Sequence, residues 1–214
     1  MTIFGRLRSS LAIAALIPCG VATAQNLIRD PTFSSGIGAW TTRGALPSRL
    51  DWNGGPGADG AVGFARLSAL TGGPGAFFGR VCLPARPGVV YLWGGYLRFL
   101  SAPDASAQFT LSFSGDSACA GPILLHAGGP QLSGSLASPN TWYLRPGQDV
   151  AAPSGANSVS FEIQLTTLSN PLRSVDFDNV YFGPPAVVPM LSISNLLLLA
   201  AAMAAVGLWR LASR

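Results

Sequence analysis

The sequence predicts an all-β chain built around a single β-sandwich of the jelly-roll type, flanked by an N-terminal signal peptide and a C-terminal transmembrane helix. Three observations predict it. Gly, Pro, Ser and Asn punctuate the middle of the chain every 8 to 12 residues, the spacing of short strands joined by turns. Val159 to Leu165 alternates apolar and polar residues strictly, as a strand with one buried face does. No stretch between the two ends sustains a helical period.

The elements follow in order. Arg6 and Arg8 precede an apolar run from Leu11 to Ile17, and Ala22-Thr23-Ala24 supplies small residues at cleavage positions. Residues 1–24 therefore read as a secretory signal peptide, with the mature chain starting at Gln25. Leu16-Ile17-Pro18-Cys19 is a poor lipoprotein site, because Pro18 stands where such sites want a small residue. Residues 25–183 form the sandwich. Strands are expected over 90–100, 106–113, 159–165 and 175–182, with Tyr91, Trp93, Leu97 and Phe99 on one parity of the first. Trp93 and Trp40 are assigned to the core. Asp51 to Gly63 and Ala127 to Asn140, rich in Gly, Pro and Ser, are expected as loops. Residues 184–187 make a stiff linker. Between Val187 and Trp209 there is no charged side chain, and about 20 apolar residues suffice to cross a bilayer. Arg210 and Arg214 lie beyond, on the side the positive-inside bias keeps cytoplasmic.

Setting both ends aside changes what the composition means. The formal charge of +4 belongs to Arg6, Arg8, Arg210 and Arg214, since all nine acids and the other nine arginines lie between Gln25 and Val187. The neutral central domain argues against a nucleic-acid partner, which needs a clustered basic surface. Cys19 leaves with the signal peptide, so Cys82 and Cys119 remain as a pair. In an oxidising compartment their default is a disulfide.

The tail carries a resemblance. Val188, Pro189, Met190, Leu191 and Ser192, then the apolar run and Gly207-Leu208-Trp209-Arg210, are similar to bacterial sorting signals of the IPTL/PEP-CTERM type. Met190 departs from the Thr of that pattern. The resemblance covers residues 188–214 and implies processing by an exosortase-like membrane transpeptidase. It also implies anchoring in the inner membrane first, then delivery to the cell surface or extracellular matrix. A plain tail anchor is the alternative.

A second resemblance spans the middle. Asn26-Leu27-Ile28-Arg29-Asp30-Pro31-Thr32-Phe33-Ser34-Ser35-Gly36, with Trp40 after it, resembles the opening of jelly-roll carbohydrate-binding modules of the family 4/9 type, which share a galactose-binding-like fold. Val175-Asp176-Phe177-Asp178-Asn179-Val180 resembles their closing strand. Pro87-Gly88-Val89-Val90-Tyr91, and Trp142 ahead of Ala152-Pro153-Ser154-Gly155-Ala156, are similar to internal motifs. The resemblance implies polysaccharide binding and a structural calcium near the joined termini. Asp178 matches one ligand position; Ser34 replaces a Glu, for which Asp30 is a substitute. Calcium wants six to eight oxygens, and the same acids also read as turn formers at a strand end.

Sugar recognition needs aromatic platforms with hydrogen-bonding neighbours. Trp52, flanked by Asp51 and Asn53 in a glycine-rich stretch, is the first candidate, with Tyr96 and Arg98 on the polar parity of the long strand. Trp142 is open between platform and core. Glu162 and Gln164 are further candidates for a concave face. Catalysis finds little support. Glu162 is the only Glu and has no evident acidic mate for glycoside hydrolysis. Gly115-Asp116-Ser117 lacks a nucleophile elbow, and His126, the only His, would have to serve as its base. Two readings remain: a non-catalytic, surface-displayed polysaccharide binder, or a structural matrix protein without a specific ligand.

Overall fold

The computed structural model describes residues 25–185 except 45, 102 and 169–172. The expected signal peptide and sorting tail lie outside the described residues. So do residues 186 and 187 of the linker.

Among the described residues, twelve strands form two antiparallel sheets and no helix. They are β1 (Thr41–Arg43), β2 (Ser48–Pro56), β3 (Val62–Ala69), β4 (Gly75–Pro84), β5 (Val90–Arg98) and β6 (Ala105–Ser114). Then come β7 (Ile123–Gly128), β8 (Leu132–Ser133), β9 (Tyr143–Pro146), β10 (Val150–Ala151), β11 (Ser158–Thr167) and β12 (Ser174–Gly183). The first sheet runs β1-β4-β11-β6-β7, with β8 also on β6; the second runs β10-β5-β12-β3-β2, with β9 also on β5. The expected all-β sandwich is the fold observed.

Period-two alternation sorts side chains between core and surface. Val159, Phe161, Ile163 and Leu165 of β11 point inward with Phe109, Leu111 and Phe113 of β6, and all are buried. Phe161 stacks on Phe109 at 5.4 Å between ring centroids. Trp40 touches both sheets, 5.8 Å from Phe161 and 5.0 Å from Phe177, so it is core as expected. Trp93 is core too, its indole donating to the Gln148 carbonyl at 2.7 Å. Its ring is packed so closely on Gly147 that a Cβ there would collide with it.

The opening segment is laid against the closing strand. Leu27 N donates to Phe182 O at 2.8 Å and Val180 N to Pro31 O at 3.0 Å, while Asn26 Oδ1 accepts from Phe182 N at 3.1 Å. Cys82 and Cys119 form the expected disulfide, closing a sequence separation of 37 residues. In the chain-entropy model such a loop contributes about 4 kcal/mol.

Of the two expected loops, the first is mostly strand and the second is partly strand. Residues 51–56 belong to β2, and the turn shrinks to the stretch where Gly57 N meets Ala61 O at 2.7 Å. The Gly54-Gly55-Pro56 run is tolerated because β2 is an edge strand that needs partners on one side only. Its pairing with β3 shifts register between Asn53 and Pro56. Within 127–140, β7 continues to Gly128, and β8 pairs with β6.

Candidate functional site

Each sheet turns one face outward, and the two outward faces differ in chemistry. On the first sheet, strand register lines polar residues into rows. One row is Thr41, Arg80, Glu162, Thr110 and Gly128. Beside it lie Arg43, Phe78, Gln164 and Gln108, and on the other flank Cys82, Ser160, Ser112 and His126.

The centre of this face is withdrawn from solvent. Thr110, Ser112, Ser160 and Glu162 are buried, while Arg43, Phe78, Arg80, Gln108 and Gln164 are half-buried and His126 is exposed. Exposure rises from the two central strands toward the flanks, giving a polar floor between more exposed margins, here termed the trough. A floor of this kind must be internally satisfied, because a buried unpaired polar group is costly. Glu162 Oε1 lies 3.0 Å from Arg43 Nε and accepts from Ser160 Oγ at 2.7 Å. Arg43 Nη2 donates to Oε2 at 3.3 Å. Gln108 Nε2 donates to Gln164 Oε1 at 3.0 Å and Gln164 Nε2 to Thr166 Oγ1 at 3.3 Å, which leaves, among the described residues, the Gln108 carbonyl and one N–H of each amide unused. Ser112 Oγ and His126 Nδ1 are 3.1 Å apart. Thr110 Oγ1 is buried with no hydrogen-bond partner among the described residues. Phe78 adds an apolar ring, with the Arg43 guanidinium 5.5 Å from its centroid.

This arrangement offers amide donors and acceptors, two guanidinium groups and one ring face on a rigid pleated surface. Amides and guanidinium groups pair with hydroxyls, and an aromatic ring face packs on C–H patches. It shows no pair of carboxylates: the group facing Glu162 is Arg43, and His126 rests on Ser112 and not on Ser117.

The second sheet's outward face holds most of the other candidates, already engaged with one another. Asp176, buried, accepts from Arg66 Nε at 2.6 Å and from Arg98 Nη2 at 2.8 Å. Hydrogen bonding to Asp176 raises the Arg66 guanidinium above its ordinary pKa, against the opposing effect of burial. Arg98 is clamped between aromatic rings, 4.2 Å from the Trp142 centroid and 4.6 Å from that of Phe64. Tyr96 shares this outward parity through its pairing with Asp178. Asp51 lies opposite Arg66 and is joined to Arg49 at 2.6 Å; Asn53 Oδ1 accepts from Gly55 N at 3.0 Å. Trp52 has the opposite parity. It pairs with core residue Ala65, and its indole donates to Phe33 O at 2.6 Å while 45% of the residue stays exposed. It therefore closes the sandwich edge beside the opening segment, separate from Tyr96, Arg98 and Trp142.

Asp30 and Asp178 are each occupied differently. Asp30, at φ 49°, accepts from the backbone N and Oγ of both Ser34 (2.8 and 2.9 Å) and Ser35 (2.9 and 2.7 Å). Partial burial works against the charge, but these hydrogen bonds prevail and hold its pKa at about 2. Asp178 is fully buried; Oδ2 accepts from Ala58 N at 2.7 Å and Oδ1 has no partner. Burial pushes its pKa up to about 6, against hydrogen bonds from Ala58 and Asn179. A Cβ on Gly57 would collide with its Oδ2, so only glycine lets the turn reach it. Calcium would need several free carboxylate oxygens in one place. Asp30 has spent its own on two serines, and among the described residues no three His, Cys, Asp or Glu side chains gather as a metal ion requires. The residues as placed do not fit a calcium cage.

A separate cleft of about 610 Å³ lies between the opening segment and the end of β4, lined by Leu27, Ile28, Trp40, Val81 and Leu83. Its charged carboxylate is Asp30, already committed to the serines.

Glu162 and Gln164 were legible in the sequence as candidates for a concave face, and His126 only as a possible base for Ser117; Arg43, Phe78, Arg80 and Gln108 were not singled out. The polar alternation of Ser106, Gln108, Thr110 and Ser112 in β6 is the signal that marks their face.

No family model and no curated protein matches the chain. Solved structures do match its fold. The enzymatically active domain of bacteriophage CBA120 tailspike protein 4 superposes with a TM-score of 0.57 at 14% identity, over 74% of this chain and 21% of that one. This chain thus spans about a fifth of the tailspike domain. TmCBM61, solved in complex with β-1,4-galactotriose, gives a TM-score of 0.50 at 12% identity, over 75% of this chain and 99% of the module. The CBM22-2 xylan-binding domain of Paenibacillus barcinonensis Xyn10C gives 0.51 at 13% identity, over 72% and 97%. At these identities the likeness establishes the β-sandwich of carbohydrate-binding modules as the fold.

Proposed function

We propose that this chain is an exported, non-catalytic protein that binds extracellular or envelope polysaccharide in the trough of the first sheet. The observation that carries the reading is the Glu162–Arg43 pair, 3.0 Å apart on the floor of a polar sheet face. An ion pair withdrawn from water adds little net stability compared with apolar packing, so its value lies in fixing a charged, polar floor beside Gln164 and Gln108 on the same face. Amides and guanidinium groups would read sugar hydroxyls, and the Phe78 ring would cover a pyranose C–H patch. The sandwich shared with the carbohydrate-binding modules supports the reading. The two ends support export. Met1–Ala24 directs secretion, and Val188–Arg214 is a sorting signal for an exosortase-like transpeptidase. The inner membrane is then a way station to the cell surface or matrix.

A polysaccharide panel that includes the producing organism's own exopolysaccharide tests this. Retardation of the full chain in affinity gels, lost in Gln164→Ala, is expected. No interaction with any polymer would favour a structural matrix role. Polymer shortening on incubation would require an enzyme instead.

A further inference from the structure

The trough carries one cation too many. The outward positions of its described strands hold two arginines, Arg43 and Arg80, and one acid, Glu162. Both Glu162 oxygens are used by Arg43, and Oε1 also accepts from Ser160. Arg80 stands directly across from Glu162 in the strand register, yet among the described residues no carboxylate, amide or carbonyl pairs with its guanidinium. Arg80 is half-buried, so its charge is only partly solvated. Of its outward neighbours on its own and adjoining strands, Thr41, Phe78, Cys82, Ser160 and Gln164 carry no charge, and the one carboxylate, Glu162, is taken by Arg43. An unpaired guanidinium beside a neutralised ion pair, on a surface partly removed from water, is a place where an added anion gains free energy.

Resting on the polysaccharide reading of this face, we infer that the ligand is an acidic saccharide whose carboxylate or sulfate group is received by Arg80. The planar guanidinium fork fits either group through two parallel N–H···O bonds. Neutral-sugar recognition accounts for Gln108 and Gln164, whose amides match hydroxyls, but leaves Arg80 without an assignment. Glu162 contributes by keeping Arg43 off the anion: with Arg43 neutralised, one free positive charge faces one negative charge per repeat.

The test is affinity measured with the full-length chain in mild detergent against four polymers. These are a polyuronate, the same polyuronate reduced at its carboxyls, a sulfated neutral glycan and its unsulfated parent. At least tenfold tighter binding of an acidic polymer than of its neutral counterpart is expected. Arg80→Met should abolish that preference and Arg80→Lys should retain part of it, the lysine keeping the charge and losing the fork. Which acidic polymer is preferred identifies carboxylate or sulfate as the group received. Thermal melts of both variants separate loss of contact from loss of fold, and the lysine variant keeps the test decisive if the methionine variant melts early. Equal binding of acidic and neutral polymers, or an acidic preference that survives Arg80→Met in a folded protein, overturns this inference and leaves the polysaccharide reading standing. Failure to bind all four, together with the organism's own polymer, overturns both.

Discussion

Arg43 Nε lies 3.0 Å from Glu162 Oε1, joining a three-residue edge strand to the centre of the first sheet. The acid is buried and the arginine about one-third exposed. Removing one partner strands the other's charge, whereas removing both leaves a neutral face. Arg43→Met should therefore cost about 2–3 kcal/mol, and adding Glu162→Gln to it should recover most of that loss. Urea unfolding of the cycle checks this; additive losses would mean the pair is not coupled.

Asp176 is the corresponding hub on the second sheet. With Arg66 and Arg98 both donating to it, Asp176→Ala leaves two poorly solvated cations facing each other. A loss of about 3–5 kcal/mol is expected, large enough to be visible as a reduced yield of folded protein. Trp142→Ala removes the ring beside Arg98 and its edge contact with Phe64, for a loss of about 1–2 kcal/mol.

Trp52 closes the edge of the sandwich, and its indole satisfies the Phe33 carbonyl at 2.6 Å. Trp52→Ala should cost about 2 kcal/mol, less than a fully buried aromatic because the ring is half exposed. Polysaccharide affinity of the folded variant should be unchanged. A selective loss of affinity without loss of stability would return Trp52 to the binding surface.

The disulfide between Cys82 and Cys119 clips the loop after β6 to β4. Reduction should remove about 4 kcal/mol, read as a fall of roughly 8–15 °C in Tm for a domain of this size. A Tm indifferent to reductant would contradict the constraint.

Asp178 gives a pH signature. Its pKa of about 6 in the folded chain lies above the ordinary 3.8 because burial disfavours the charge. The folded state then holds its proton more tightly than the unfolded state, so this group's contribution to stability falls as pH rises from about 4 through about 6. Asp178→Asn should match the parent near pH 4 and exceed it by about 1–2 kcal/mol at neutral pH, allowing for solvent screening. Tm profiles of both proteins test it; a constant difference across pH would show that Asp178 does not titrate in this range.

Legibility in the sequence followed locality. The alternation of Val159 to Leu165 and of Ser106 to Phe113 announced β11 and β6, which extend only one or two residues further. Asn53-Gly54-Gly55-Pro56 misled because turn residues are permitted on an edge strand, and edge position is a property of the sheet that no local window contains. Glu162 was visible as a lone acid. Its partner Arg43 stands 119 residues earlier in the chain, on a strand too short to show a pattern. Tyr96 and Arg98 were correctly placed on one polar parity, but the acid that engages Arg98 lies on β12, which pairs with β5 only in the fold.

The most direct measurement of the central claim compares the two outward faces in one binding assay. Gln108→Ala and Gln164→Ala report on the first sheet; Tyr96→Ala and Trp142→Ala report on the second. With folded variants at equal concentration and the polysaccharide that retards the parent chain, the trough account predicts at least a tenfold loss for the glutamine variants and none for the aromatic ones. Loss confined to Tyr96→Ala and Trp142→Ala, with the glutamine variants binding as the parent does, would contradict it.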